Sequence, residues 1–184
     1  NPDFLLSRLT IMLLCIAWSG YQLYIAYQPI DATIARAWHL AFAILLVFLA
    51  YPAFNEARPP FWVKLSRRIL PRRRAKRSLR SYIPLFDVLL GVIAAAAALY
   101  IWWDYEGIIT RQGIPSSTDV WVGVVMIILL LEAARRALGS ALPILGIIFL
   151  AYSFLGPYLP EILRHRGIPL DYVINDQYLS TTGI

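Results

Sequence analysis

Long apolar runs separated by short polar breaks occupy most of the 184 residues of this chain. Such runs need apolar surroundings, and roughly 20 residues of helix cross a ~30 Å hydrocarbon core. In lipid the backbone must satisfy its own hydrogen bonds, which leaves helices and closed barrels. The first run, Leu9 to Tyr27, ends at Gln28-Pro29, and the second covers about Ile34 to Phe54. Only Pro29 to Thr33 separates them, so they form an antiparallel hairpin. A third span reads from Ile83 to Tyr105, and a fourth from Val120 to about Leu138. The fourth follows Ser116-Ser117-Thr118-Asp119, a good N-cap cluster. Gly139 suits a helix C-cap, and Pro143 suits the first turn of a fifth span over about Leu142 to Leu155. The fold class expected is an all-α membrane protein of about five transmembrane helices.

Between the second and third runs the charge changes abruptly. Ten of the seventeen basic residues lie from Arg58 to Arg80, with no acid among them. Lys and Arg resist translocation and meet anionic lipid on the cytoplasmic side, so this loop, residues 55–82, is expected to be cytoplasmic. Lys64, Arg67, Arg68, Arg72, Arg73, Arg74, Lys76 and Arg77 are its expected contacts with anionic lipid. The N-terminus and the Glu132 to Gly139 corner then lie on the same side, and Asp104 to Asp119 on the other. The same cluster would fit an electrostatic footprint for nucleic acid, but two flanking spans make it a lipid-facing loop instead. Composition agrees, with 59% hydrophobic and 15% charged residues and a mean hydropathy of +0.62. Cys15, the single cysteine, excludes an internal disulfide.

After Gly156 the chain changes character. Pro157, Pro160 and Pro169 interrupt it, and Arg164-His165-Arg166-Gly167 reads as a polar turn. Leu170, Val173, Ile174 and Tyr178 then recur at helical spacing opposite Asp171, Asn175 and Asp176, the pattern of an amphipathic helix. The chain begins without Met or a signal peptide and stops without a termination signal, so it reads as part of a longer polypeptide.

No nucleophile elbow, Walker loop, dinucleotide glycine motif or metal-ligand spacing is present. Glu132 precedes Arg135 and Arg136 at i+3 and i+4, the favourable order for intrahelical pairing. These three residues are expected to form a structural ion pair at the cytoplasmic rim, with the arginines snorkelling to the interface, rather than a coupling-ion site. Asp87, in the first turn of the third span, is expected to favour that helix N-terminus. An intramembrane His39 is by default a relay candidate. With no second titratable group nearby, it reads instead as a packed histidine bonded to a neighbouring helix. Gly91, Ala95 and the alanines around them permit close helix packing.

Several segments occur together in a familiar order. They are Tyr21-Gln22-Leu23-Tyr24, Ala37-Trp38-His39-Leu40-Ala41-Phe42, Leu131-Glu132-Ala133-Ala134-Arg135-Arg136, Gly156-Pro157-Tyr158-Leu159-Pro160 and Tyr178-Leu179-Ser180-Thr181-Thr182-Gly183-Ile184. In this order the chain resembles the N-terminal part of fused permeases of tripartite ATP-independent periplasmic (TRAP) transporters, in the branch served by TAXI-type binding proteins. The last segment lacks a glutamate that relatives carry near Thr182. The resemblance implies a four-helix small-subunit-like domain over residues 1–138. Residues 139–184 would then open the large permease domain, whose transport site and coupling ion, Na+ or H+, lie beyond Ile184. It further implies a non-catalytic scaffold in the bacterial inner membrane, N-terminus cytoplasmic, serving import of organic acids or related solutes. Its partners would be the large transport domain of the same polypeptide, a periplasmic binding protein and membrane lipids, with no nucleic acid and no cofactor. Asp104, Glu106, Arg111, Glu161, Arg164 and Arg166 are the expected docking charges. The competing reading is a membrane-embedded enzyme acting on lipid or quinone, which would need titratable residues gathered on one side.

The topology is directly testable. In a Cys15→Ser background, single cysteines at Ser66 and Ser117 should label from opposite sides of intact cells with an impermeant thiol reagent. Labelling of both from one side would refute the five-span arrangement.

Overall fold

Capping chemistry and proline decide where each helix starts and stops. The computed structural model describes residues 2–52, 84–111 and 113–180, with side chains from Leu5 onward. The basic loop, with the expected lipid contacts from Lys64 to Arg77, lies outside the described residues, as do Thr181 to Ile184. Helix α1 covers Pro2–Tyr27, α2 Ala32–Ala50, α3 Leu85–Trp103, α4 Tyr105–Thr110, α5 Ser117–Ala137 and α6 Ala141–Leu155. A 3-10 turn, Gly156–Tyr158, follows, and α7, Leu170–Ile174, runs directly into a π-helical turn, Asn175–Leu179. Among the described residues there is no strand. Five helical stretches are long and apolar enough to cross a membrane: Leu5–Tyr27, Ala32–Ala50, Leu85–Trp103, Ser117–Ala137 and Ala141–Tyr158.

The boundaries follow the side chains. Asp31 caps α2 by accepting from the Thr33 amide at 2.8 Å. The helix ends at Ala50, earlier than Phe54, because Pro52 disfavours the helical region for Tyr51. Ser116 and Asp119 form a reciprocal capping box: Ser116 Oγ accepts from the Asp119 amide at 3.2 Å. Asp119 Oδ2 accepts from the Ser116 amide at 2.7 Å. Gly139, at φ +94°, turns the chain out of α5 in the left-handed region that a side chain would disfavour. The third span stops at Trp103 rather than Tyr105, since Asp104 leaves helical geometry and α4 starts anew.

The core lies between α2, α3 and α5, where buried residues recur every three or four positions. On α3 they are Asp87, Gly91, Ala94, Ala97, Ala98 and Ile101. Small residues let the backbones approach, which matters in hydrocarbon, where helices associate by van der Waals contact rather than by exclusion of water. A Cβ on Gly91 would stand 3.1 Å from Leu45 Cδ1 and 3.2 Å from Phe48 Cβ. The close-packed stripe therefore passes through Gly91, Ala94 and Ala98, with Ala95 only partly buried beside it.

The C-terminal helix seats against this core. Val173, Ile174, Tyr178 and Leu179 are buried, as their spacing predicted, while Leu170 is exposed. A Cβ on Gly123 of α5 would fall 2.4 Å from Ile174 Cγ2, so only glycine admits the helix there. Tyr178 donates its hydroxyl to the carbonyl of Ala97, giving a buried polar group its partner. By contrast α1 buries none of its described side chains and α6 only Pro143.

Gly91→Leu should overpack the α2–α3 contact and lower unfolding stability in detergent by about 1–3 kcal/mol. Gly20→Leu, where a Cβ meets nothing within 4 Å, should be close to neutral in the same denaturation.

Candidate functional site

Charged side chains inside the bundle gather at the two ends of the three-helix core. One cluster sits where α3 begins and α5 finishes. Arg136 Nη1 donates to Asp87 Oδ1 at 2.7 Å and to the Tyr51 carbonyl at 3.4 Å. Its Nε donates to Glu132 Oε1 at 2.7 Å, and the guanidinium lies 4.5 Å over the Phe48 ring. Arg135 grips the same glutamate twice, through Nε at 2.7 Å and Nη2 at 2.8 Å. The Asp87 and Arg136 side chains are 1% and 2% exposed. Two acids and two bases are thus neutralised together, and α2, α3 and α5 meet at one guanidinium.

This geometry supports the Glu132–Arg135–Arg136 pairing read from the sequence and corrects two expectations beside it. Asp87 makes no side-chain bond to the N-terminus of α3; its carboxylate turns inward to Arg136. Arg136 does not snorkel, because its partner lies within the bundle; only Arg135, 45% exposed, reaches outward. A signal for this contact exists in the sequence. Residue 87 is in the first turn of one span and residue 136 in the last turn of another, so opposite charges share one depth.

A second cluster occupies the opposite end. Asp119, 1% exposed, accepts from Tyr100 Oη at 2.5 Å. Arg111 Nη2 lies 3.3 Å from both Asp119 oxygens and 2.5 Å from Asp104 Oδ2. The Asp104 carboxylate is the main reason the Arg111 guanidinium is held above its usual range; burial opposes this and Asp119 adds to it. Asp31 links the α1–α2 turn to the same end by accepting from Tyr105. Burial pushes its carboxyl up, but the bonds from Tyr105 and Thr33 outweigh burial and hold it below the ordinary range. Gly113 N donates to Asn175 Oδ1 at 3.4 Å, tying the α4–α5 linker to the C-terminal π turn.

Of the expected docking charges, Asp104 and Arg111 are therefore engaged within the chain. Glu106, Glu161, Arg164 and Arg166 are exposed. His39 bonds the Gln22 amide on α1 at 2.5 Å and meets the Trp18 ring edge-on, with centroids 5.0 Å apart. It is thus a helix-to-helix contact, as read from its isolation. His165 is bound up in its own loop: Gly167 N donates to Nδ1 at 3.1 Å, and Nε2 lies 3.0 Å from the Tyr152 carbonyl. Its ring packs on Gly156, where a Cβ would come within 2.3 Å. Among the described residues no group of three or more His, Cys, Asp or Glu side chains could hold a metal ion.

Comparisons with protein-family models, curated proteins and solved structures found no match. The architecture defines the class by itself: an all-α chain with five helices of membrane-crossing length, compatible with a multi-pass membrane protein.

Removing one partner of a buried pair strands the other charge, a loss of about 3–5 kcal/mol. Arg136→Leu and Asp87→Leu should each destabilise the protein on that scale. The double substitution should cost less than either alone, measured as a double-mutant cycle of unfolding in detergent. Equal additive losses would mean that the two side chains act independently.

Proposed function

We propose that this chain is a non-catalytic scaffold of a binding-protein-dependent secondary transporter of TRAP type, driven by an Na+ or H+ gradient. On this reading it lies in a bacterial inner membrane with a cytoplasmic N-terminus and basic loop. It anchors the large transport domain of the same polypeptide and offers a docking surface to a TAXI-type periplasmic binding protein. The solutes would be organic acids or related small molecules.

The observation that carries this reading is how the chain disposes of its intramembrane charge. Asp87, Glu132, Arg135 and Arg136 neutralise one another where α3 and α5 meet, and Asp119 is consumed by Tyr100, Arg111 and its own helix cap. Charges arranged in this way fix helices against each other, as a stationary part requires. A transport path would instead hold its polar groups ready for a solute. The order of motifs from Tyr21 to Ile184 supplies the family, and the exposed Glu106, Glu161, Arg164 and Arg166 supply surface for a transient partner.

Exposed charges at such an interface set association rate more than final affinity, and salt screens them. Full-length protein carrying Arg164→Glu and Arg166→Glu, reconstituted with its binding protein, should take up solute more slowly. The loss should be on the order of tenfold at low ionic strength and shrink as salt rises. Uptake that needs neither a soluble binding protein nor an ion gradient would overturn the assignment itself. Normal uptake with unchanged salt dependence would move the docking surface elsewhere.

A further inference from the structure

Between α5, α6 and the C-terminal helix runs an open cleft of about 320 Å³. Leu130 and Leu131 of α5 and Gly146 and Leu150 of α6 form its deep end; Ser153, Tyr172, Asp176 and Gln177 stand at the other. The volume falls at the lower end of the ~300–1,000 Å³ typical of ligand sites. Gly146 lies nine residues before the end of α6, a depth of about 14 Å at 1.5 Å per residue. That depth is close to half of a ~30 Å hydrocarbon core, the reach of one leaflet.

The polarity of the cleft runs along the same axis. Its deep walls are aliphatic, and its polar groups collect near the level where α6 ends. Asp176 is the sole charged residue among those lining it, and no basic side chain faces it. Asp176 belongs to the π-helical turn Asn175–Leu179, a distortion that often accompanies a functional position. Gln177 Nε2 donates to Asp176 Oδ2 at 2.9 Å. A carboxylate offers about four acceptor sites, so this bond does not exhaust it.

We propose that the cleft holds one acyl chain of a membrane phospholipid whose headgroup bears a primary ammonium, with that ammonium placed at Asp176. An anionic headgroup would meet the carboxylate without any cation lining the site, so the carboxylate selects between lipids that share the same tails. The site is independent of the transporter assignment, because it needs only a bilayer around α5 and α6.

The test is lipid retention by full-length protein in nanodiscs of equal phosphatidylethanolamine and phosphatidylglycerol, read by native mass spectrometry after transfer to detergent. Wild-type protein should retain phosphatidylethanolamine at least about fivefold over phosphatidylglycerol, the scale of one charge-assisted hydrogen bond. Asp176→Asn, nearly isosteric, should bring that preference close to one while leaving the unfolding temperature unchanged. Leu150→Trp, which fills the cleft, should abolish retention of both lipids. Equal retention by the wild type, or a preference that survives Asp176→Asn, would overturn the proposal. So would a cysteine at Leu150 that a lipid-soluble maleimide fails to reach in any lipid mixture, because the cleft would then be covered by protein. Should Leu150→Trp fail to fold, the Asp176→Asn comparison decides alone.

Discussion

A guanidinium buried between helices cannot be left unpaired, and that constraint at Arg136 organises the bundle. In a medium of low polarity its charge must meet a carboxylate at hydrogen-bonding distance. Asp87 and Glu132 supply two, and the Tyr51 carbonyl is a third acceptor. These partners lie on α3, on α5 itself and at the end of α2, so one side chain sets the relative depth of all three helices. With depth set, the glycine and alanine stripe of α3 falls opposite Leu45 and Phe48 of α2. Close packing then follows from small side chains placed at the right height. The Phe48 ring beneath the guanidinium completes the join between the charged end and the apolar core.

The opposite end is closed by different means. Asp119 caps its own helix, accepts from Tyr100 on α3 and faces Arg111 of the intervening linker. The C-terminal helix is tied to the same region through Asn175 and Gly113, and through Tyr178 and the Ala97 carbonyl. One end is therefore held by a pairing between two spans, and the other by a linker folded over the spans it joins.

Much of this was legible in the sequence because it depends on local spacing. The five spans follow from apolar length, the start of α5 from Ser116 and Asp119, and its end from Gly139. The buried face of the C-terminal helix followed from the recurrence of Val173, Ile174 and Tyr178. What was missed involves partners far apart in the chain. Asp87 was read as a local cap because helix-end electrostatics can be seen within one segment, whereas its true partner lies 49 positions away. Asp104 and Arg111 looked like free surface charges for the same reason. The close approach at Gly123 left no trace either, since a lone glycine in a span does not say which neighbour presses on it. The His39 contact with Gln22 was readable only as a type of interaction, without its partner.

The near absence of buried side chains on α1 has a consequence for how the protein assembles. Leucines facing lipid gain nothing by exchanging lipid for another helix, so the apolar surface of α1 contributes little to its place in the bundle. What holds it to α2 is a small set of specific contacts: Gln22 with His39, Trp18 against the imidazole, and Tyr21 among Trp38 and Phe42. The helix is thus fastened at one patch in the half of its length nearest the α1–α2 turn, and the remainder is free to follow the bilayer. The protein is accordingly graded in cohesion, from a rigid α2–α3–α5 centre to a first helix that can tilt about its attachment without disturbing that centre.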